Sequence, residues 1–554
     1  MRPFLISLGV FAAVASAVTA LWAWLGRPID MADAPGGRFD CLSYAPTTAE
    51  GHPLMGPDYA LPPGLIERDL TALSKLTGCV RTYSSYGVQA GVLPAAAKLG
   101  MKVLLGIWIG TEDKRNRIEI AAALRVAAKH PEAVRAIVVG NEVLLRREMT
   151  GQRLAGIIQS VKARTQLPVA YADVFDFWER HPAVAEAVDL MLVHVLPYWD
   201  DPAPRSVRAA QDGVRATVAH ARAVFPKARI EIGETGWPSA GRTRGAGVPS
   251  RVNQARFLRE FAAQADSLGV PYNVVEAVDQ PWKRAPEGTV GGFWGVLDAG
   301  RAAKFPLAGP VREWPDWFLA AGFSSALGLL FLCGLAVVRR QTGAAAVLGV
   351  GITGGVTGTC LWMLAAQIEA AAIGILGWLG GIYLLLLAAG GGVLLAAQLV
   401  RPPWLEGLRP ASLGDVLAGL RRRRLSRDQV LGLMRWAVLL PAGVLALALA
   451  ADGRHRDFLP LAFILPGLAL ALLAWRGWDR AGAGRPEDAW IALLLAIAGP
   501  LAVDAPGNLE ALAWAGTCLL LALPGLPGVG GELRVLGRAL AAQGQGDDGQ
   551  YHRR

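Results

Sequence analysis

Two glutamates follow apolar, β-rich segments, and their residue types suit acid–base chemistry. Glu142 ends the stretch 139–142, which reads VGNE, and Glu234 begins the stretch 234–239, which reads ETGWPS. Glycoside hydrolysis has an oxocarbenium-like transition state and needs one carboxyl group as proton donor and another as nucleophile or base. One carboxyl must hold a proton while the other is ionised, so their surroundings must differ. A lone glutamate after a strand is often a solvated loop residue, so the prediction depends on the pair.

Tryptophans end or follow several of the same apolar segments. Sugar rings present flat C–H faces that stack on aromatic rings, which favours a carbohydrate site. The alternative is that these rings only fill the protein core. The tryptophans in question are Trp108, Trp199, Trp237, Trp282 and Trp294.

The segments that carry these residues alternate between β-rich and helical patterns from residue 38 to 315. Eight strands alternating with helices predict a (β/α)8 barrel, in which active-site residues lie at the C-terminal ends of the strands. A doubly wound open sheet is the alternative, but no GxGxxG phosphate loop follows the first strand. The predicted strands are 40–45, 79–84, 102–109, 134–141, 168–174, 188–196, 229–233 and 272–278.

The stretches 139–142 and 234–239 resemble the two signatures of glycoside hydrolase family 17, the β-1,3-glucanases and related glucan transglycosylases. The resemblance covers about residues 38–312 and is closest to a bacterial, membrane-anchored branch associated with the synthesis of β-(1→3)/(1→6)-glucans. Further stretches that resemble this branch are 44–46 (YAP), 81–83 (RTY), 279–283 (DQPWK) and 292–295 (GFWG).

The resemblance implies a retaining enzyme with a (β/α)8 fold and without a metal or other cofactor. It implies that Glu142 is the acid/base, and therefore titrates high, and that Glu234 is the nucleophile. Asn141 matches an amide that contacts the sugar 2-hydroxyl, and Tyr198 matches a hydroxyl close to the nucleophile. The predicted substrate-binding residues are Asn141, Tyr44, Arg81, Tyr83, Trp108, Tyr198, Trp237, Glu276, Asp279, Trp282 and Lys283.

The chain departs from the family pattern at two positions. Gln280 stands where plant members have an acidic residue, and His194 stands where the family often has an amide. We interpret His194 as a packed strand residue rather than a site residue. Cys41 and Cys79 begin adjacent predicted strands, and two buried thiols are favoured over a disulfide.

The composition indicates a membrane protein. The chain is 53% apolar and 18% charged, whereas soluble domains carry about 25% charged residues. The net charge of +10 would suit a nucleic-acid binder, but the densest arginine run, 421–424, lies between apolar segments, where it orients a membrane protein. Residues 4–25 are an apolar run that is too long for a signal-peptide core, so an uncleaved anchor is favoured.

The expected domains are an N-terminal anchor (1–30), the barrel (38–312), a C-terminal domain of about seven transmembrane helices (317–525) and a polar cytoplasmic tail (526–554). Arginines predict the orientation, because they concentrate in cytoplasmic loops. Eight helices with both ends in the cytoplasm place the barrel in the periplasm and the Arg-rich loop 401–429 inside. The orienting arginines include Arg339, Arg340, Arg401, Arg409, Arg476, Arg480, Arg485, Arg534, Arg538, Arg553 and Arg554; Arg454 and Arg456 oppose the pattern.

These features predict an inner-membrane β-1,3-glucan transglycosylase that remodels, branches or cyclises exported glucan, including through β-1,6 linkages. A membrane-bound β-1,3-glucanase and a non-catalytic glucan-binding or export component are the alternatives. The expected partners are β-glucan, membrane lipid and a glucan synthase or exporter, and nucleic acid is not expected. The C-terminal helices serve either as an anchor and docking domain or as a passage for glucan.

Overall fold

The computed structural model describes residues 2–48, 51, 59–201, 204–337, 343–401, 405, 407–476 and 485–548. The chain divides into two compact units. One unit is Pro28–Glu313, and the other consists of Met1–Arg27 and Trp314–Arg554.

The unit Pro28–Glu313 contains a closed barrel of parallel strands that pair in sequence order, β1 to β8 and back to β1. This confirms the predicted (β/α)8 fold. The apolar stretch 136–139 in the middle of β4 is buried on both faces, as expected when helices surround a barrel. The strands are β1 Cys41–Ser43, β2 Cys79–Arg81, β3 Lys102–Ile107, β4 Val134–Asn141, β5 Val169–Val174, β6 Leu190–His194, β7 Ile230–Thr235 and β8 Tyr272–Val274.

Helices alternate with these strands, and short polar side chains start several of them. Thr150, Ser206 and Ser250 each accept a hydrogen bond from a backbone amide in the first turn of the following helix, which satisfies a donor that the helix itself cannot pair. The helices of this unit are α2 Leu65–Leu73, α3 Val92–Lys98, α4 Asp113–Lys129, α5 Gly151–Lys162, α6 Phe175–Arg180, α7 Pro182–Ala187, α8 Val207–Val224, α9 Arg251–Leu268 and α10 Arg284–Glu287.

A disulfide joins Cys41 to Cys79 at the beginning of β1 and β2. The expectation of two free thiols is therefore wrong. The physical reason is the register: Leu42 lies opposite Val80 in this parallel pair, so the preceding cysteines are also opposite each other and their sulfur atoms can meet.

The second unit is helical. Five of its described helices are long and apolar enough to cross a membrane, or up to six if the bent pair Leu509–Ala522 and Leu526–Arg538 forms one span. The expected total of eight spans stays a prediction. The helices are α1 Arg2–Leu25, α11 Trp317–Val337, α12 Ala344–Ala371, α13 Gly374–Val400, α14 Leu413–Arg421, α15 Arg427–Ala451, α16 Pro460–Trp475, α17 Pro486–Leu501, α18 Leu509–Ala522 and α19 Leu526–Asp548.

Helix α13 continues through the three glycines 390–392 as one helix. Gly391 lies against Pro466 of α16, and Gly392 lies against Thr357 of α12. A side chain at either glycine would clash with its neighbour, so these glycines allow close helix packing rather than a break.

The N-terminal helix α1 packs within this helical unit. Its Trp22 indole donates to Ser324 Oγ of α11 at 3.2 Å, and Val14 and Val18 are buried beside Ala320 and Ala321. Among the residues that predict the orientation, Arg339, Arg340, Arg480, Arg553 and Arg554 lie outside the described residues.

Candidate active site

Glu142 and Glu234 both lie at the C-terminal end of the barrel strands. Glu234 is in β7 and pairs with His194 of β6, while Glu142 directly follows β4. Glu142 has a positive φ of 52°, a conformation that is uncommon for residues with a side chain and is enriched at functional sites. A carboxylate oxygen of Glu142, one of Glu234 and a ring nitrogen of His194 lie within 4.8 Å of one another.

Two donors converge on the Glu234 carboxylate. Arg81 Nη1 donates to Glu234 Oε1 at 2.8 Å, and the Tyr83 hydroxyl donates to the same oxygen at 2.9 Å. The Glu234 side chain is only 9% exposed. A charge-assisted hydrogen bond in such a buried place holds the carboxylate in one orientation.

Arg81 connects three strands of the barrel. In addition to Glu234, its guanidinium donates to Asn141 Oδ1 at 2.5 Å and to the carbonyl of Gly233 at 2.8 Å. Arg81 is the last residue of β2 and is fully buried. The contact with Asn141 therefore connects this amide to the same guanidinium that binds Glu234.

His194 lies between the two glutamates. Its Nδ1 is 3.0 Å from Glu142 Oε1, and its Nε2 is 3.7 Å from Glu234 Oε1 and 3.5 Å from Arg81 Nη1. The interpretation of His194 as only a packed strand residue is therefore incomplete. The signal that could have revealed it is the departure from the amide that the family often has here.

Burial raises the pKa of the Glu142 carboxyl, but the hydrogen bond and charge of His194, together with Arg81 and Arg146, outweigh it. The pKa of Glu142 therefore lies below its ordinary value. This differs from the expectation that Glu142 titrates high. The sequence could not show that an imidazole stands beside this carboxyl.

Strand β5 supports the turn that carries Glu142. Leu144 N donates to the Tyr171 hydroxyl at 3.2 Å, and Leu145 N donates to Asp173 Oδ2 at 3.4 Å. The Tyr171 hydroxyl in turn donates to the fully buried Asp173. This buried network holds the residues directly after Glu142.

Residues 41–295 match the family model described as the BtgE/BtgC glycoside hydrolase domain. A glucan 1,3-β-glucosidase from Arthroderma benhamiae is 30% identical over 266 residues, which cover 45% of this chain and 86% of that protein. The chain belongs to this glycoside hydrolase family, of the family 17 type. A glucan 1,3-β-glucosidase from Saccharomyces cerevisiae is 27% identical over 267 residues, which cover 44% of this chain and 84% of that protein.

Among solved structures, the chain is similar to a glycoside hydrolase family 17 β-1,3-glucanosyltransferase from Rhizomucor miehei. The identity is 26% and the TM-score 0.43, and the match covers 49% of this chain and 98% of that one. An active-site mutant of the R. miehei β-1,3-glucanosyltransferase in complex with laminaritriose matches with 25% identity and a TM-score of 0.42, over 48% of this chain and 95% of that one.

The β8 side of the glycoside hydrolase site contains two buried acids, each paired with a lysine. Glu276 accepts from Lys283 at 2.9 Å and from Gln280 at 2.5 Å, and burial raises its pKa to about 7 against the opposing effect of Lys283. Asp279 accepts from Lys304 at 2.8 Å, and burial raises its pKa to about 6. Sequence reasoning missed Lys304, which lies well beyond the family motifs.

Three of the predicted substrate-binding aromatics make internal hydrogen bonds in the glycoside hydrolase domain, and their contact with substrate stays a prediction. The Tyr44 hydroxyl donates to the buried Asp69 at 2.9 Å, and the fully buried Trp237 indole donates to the carbonyl of Val248 at 3.0 Å. The Tyr198 hydroxyl donates to the carbonyl of Arg242 at 2.6 Å. Tyr198 lies in the short turn that begins at Pro197, and the hydroxyl that donates to the nucleophile candidate is that of Tyr83.

Half-buried tryptophans remain around the glycoside hydrolase site. Trp199 stacks on Trp294 with ring centres 6.2 Å apart, and the Trp282 indole donates to Gln280 Oε1 at 2.8 Å. The guanidinium of Arg146 lies 4.4 Å from the centre of the Trp108 ring. Trp108, Trp199 and Trp282 are each half-buried, so each has ring surface for a sugar.

Glu142, His194 and Glu234 are of residue types that can ligate a metal, and they are close enough to share one ion. However, the positive guanidinium of Arg81 is 2.8 Å from Glu234 Oε1. A metal cation at this oxygen would meet strong repulsion. The donor set therefore fits an ion-paired carboxylate better than a metal ligand.

Proposed function

We propose that the protein is a membrane-anchored, retaining β-1,3-glucan transglycosylase. The observation that carries this proposal is the Glu142–Glu234 pair, whose nearest carboxylate oxygens lie within 4.8 Å. Retaining glycosidases hold their carboxyl groups about 5–5.5 Å apart, whereas inverting enzymes need about 6.5–9.5 Å to admit a water molecule. The short separation supports direct attack by one carboxylate.

In the first step, Glu234 attacks the anomeric carbon, and a glycosyl–enzyme ester forms as the glycosidic bond breaks. Glu142 gives its proton to the departing glycosidic oxygen. In the second step, Glu142 takes a proton from an acceptor hydroxyl, which attacks the anomeric carbon and releases Glu234. Arg81 and Tyr83 hold Glu234 for attack, and Asn141 is the residue expected to contact the 2-hydroxyl of the reacting sugar.

Transfer and hydrolysis differ only in the acceptor of the second step, which is a sugar hydroxyl or water. The additional membrane helices support transfer, because a hydrolase of soluble glucan gains nothing from them. Attachment beside an exporter would instead present a growing glucan to the site. A membrane-bound β-1,3-glucanase is the second candidate, supported by relatives that are named glucosidases.

Two observations support a barrel outside the cytoplasm. The Cys41–Cys79 disulfide suits an oxidising compartment such as the periplasm. Helix α1 makes specific contacts with α11, which favours a retained anchor over a cleaved signal peptide. A reporter that is active only in the periplasm should be active when fused after residue 315 and silent when fused within 410–425. The reverse pattern would overturn this orientation.

The full-length protein in lipid nanodiscs should convert laminari-oligosaccharides into longer or branched products, resolved by mass spectrometry and linkage analysis. The matched control is Glu234→Gln, which keeps the size of the side chain and removes the nucleophile. Only shorter products would support the glucanase. Binding without any product would support a non-catalytic glucan-binding component.

A further inference from the structure

His194 contacts the acid/base candidate through one ring nitrogen and faces the nucleophile candidate with the other. We propose that His194 is a positioning residue which donates from Nδ1 to Glu142 and biases that carboxyl toward the ionised form that serves as base in the second step. This inference rests on the function proposed above and deepens it. It names the group that sets the balance between the protonated form of Glu142, which acts as acid, and the ionised form, which acts as base.

The contact with Glu142 defines the direction of its hydrogen bond. An ionised carboxylate can only accept, so the ring nitrogen Nδ1 carries a proton and donates a hydrogen bond to Glu142 Oε1 over 3.0 Å. Arg81 Nη1 lies 3.5 Å from Nε2, but it already donates to Glu234 Oε1 and to the carbonyl of Gly233. The Nδ1 donor is therefore the contact through which His194 acts on Glu142.

Charged groups face His194 from four strands. They are Glu142 after β4, Arg81 on β2, Glu234 on β7 and Asp173 on β5, whose charge interacts with the ring. Arg81 and Tyr83 already neutralise and bind Glu234, and Asp173 accepts from Tyr171. Glu142 is therefore the carboxylate to which the ring donates. The His194 side chain is only 1% exposed, so water cannot replace this hydrogen bond without repacking.

The direction of the effect follows from the groups around Glu142. Burial raises the pKa of Glu142, and the contribution of His194 helps to bring it below the ordinary value. Without the imidazole donor, the pKa of Glu142 should rise. The protonated form, needed as acid in the first step, would then persist to higher pH. The ionised form, needed as base in the second step, would be scarcer at acidic pH, near and below this pKa.

The experiment compares the full-length wild type with His194→Leu, which removes the donor, and His194→Asn, which keeps a shorter amide donor. The basic limb of the kcat/KM profile on laminari-oligosaccharides reports the acid group of the free enzyme. In His194→Leu this limb should move up by about one pH unit, since hydrogen bonding to a carboxylate lowers its pKa by amounts of that order. His194→Asn should show a smaller shift.

A dinitrophenyl β-glycoside separates the two steps, because its leaving group needs no proton. With this substrate, breakdown of the glycosyl–enzyme in His194→Leu should be about tenfold slower at a pH below the pKa of Glu142, as one pKa unit implies. Breakdown should recover when the pH is raised by one unit. A loss caused by poor packing would instead be equal at every pH.

The control compares the single variant Glu142→Gln with the double variant that carries both Glu142→Gln and His194→Leu. Without the Glu142 carboxyl, the second substitution should leave the pH profile unchanged, while melting temperatures report folding. If the His194→Leu protein is active and folded but the basic limb of its kcat/KM profile stays at the wild-type pH, this inference is overturned. The proposed function would then remain intact. A wild type that neither cleaves nor transfers glucan would overturn the proposed function itself.

Discussion

Strand β7 contributes a buried glutamate to each end of the barrel, and the two glutamates have different surroundings. At the N-terminal end, Glu231 accepts from Arg135 at 2.8 Å and from Arg229 at 3.1 Å. At the C-terminal end, Glu234 accepts from Arg81 at 2.8 Å. Both ends therefore contain an arginine–glutamate pair with the same short distance.

The two clusters differ in how completely their charged groups pair with one another. Arg135 also pairs with Asp40 at 3.1 Å, so two acids and two arginines close the N-terminal end beside the disulfide. At the C-terminal end, one guanidinium is shared among Glu234, Asn141 and a carbonyl, and the Glu142 side chain is 23% exposed. A saturated ion-pair cluster stabilises a fold, whereas a cluster with one shared arginine and a partly exposed acid can react with a ligand.

The largest effect should come from Glu234→Ala at the C-terminal end. Loss of a covalent nucleophile costs on the order of 10⁴–10⁶-fold in kcat, and no glycosyl–enzyme can form. Azide should partly restore turnover by attacking from the vacated space and should give an inverted glycosyl azide, identified by NMR. If this variant instead gave a glycosyl azide with retained anomeric configuration, the roles assigned to the two glutamates would have to be exchanged.

Glu142→Ala should cost about 10²–10⁴-fold on natural glucan, the range for loss of general acid–base assistance. A dinitrophenyl β-glycoside should keep most of its first step, seen as a burst of dinitrophenolate. Azide should then give a glycosyl azide with net retention. If Glu142→Ala and Glu234→Ala both kept full activity, the catalytic interpretation would be wrong.

Arg135→Met tests the N-terminal end and should reduce stability rather than activity. Removing one partner of a buried ion pair costs about 3–5 kcal/mol, so the melting temperature of the barrel should fall by roughly 5–10 °C. The kcat/KM at 25 °C should stay at the wild-type value, since Arg135 is remote from Glu234. Arg164→Met, at an exposed arginine of the same unit, should change neither quantity. A large loss of kcat/KM in Arg135→Met would show that the two ends are coupled.

The smallest expected effect is a dependence of stability on pH at the C-terminal end. The pKa of Glu276 is raised from 4.5 to about 7, so the folded state holds a proton that the unfolded state releases. Stability should therefore fall as pH rises from about 4.5 to about 7, by a few degrees in melting temperature. Glu276→Gln should flatten this slope, whereas Glu132→Gln, at an exposed acid, should not. An unchanged slope in Glu276→Gln would assign the effect to other groups, such as Asp279.

The alternation of apolar and helical segments was enough to predict the barrel and the positions of both glutamates. Parallel strands are buried on both faces, so they appear as continuous apolar runs, and the residue after each run lies at the mouth. The long apolar run 371–400 likewise predicts helix, because about 20 apolar residues span a bilayer. Its three glycines are compatible with one helix or with a break, and the sequence cannot decide between them because the packing partners Pro466 and Thr357 are distant in sequence.

Contacts between side chains from different strands depended on the tertiary structure. The pairing of β1 with β2 brings Cys41 to Cys79, and the pairing of β6 with β7 brings His194 to Glu234. Tyr83 and Tyr198 both follow strands, yet the Tyr83 hydroxyl donates to Glu234 and the Tyr198 hydroxyl donates to the carbonyl of Arg242. Local sequence determines the position of a residue along its strand, because hydrophobic periodicity is a short-range property. Register and turn geometry decide which side chains meet, and these arise from packing of the whole barrel.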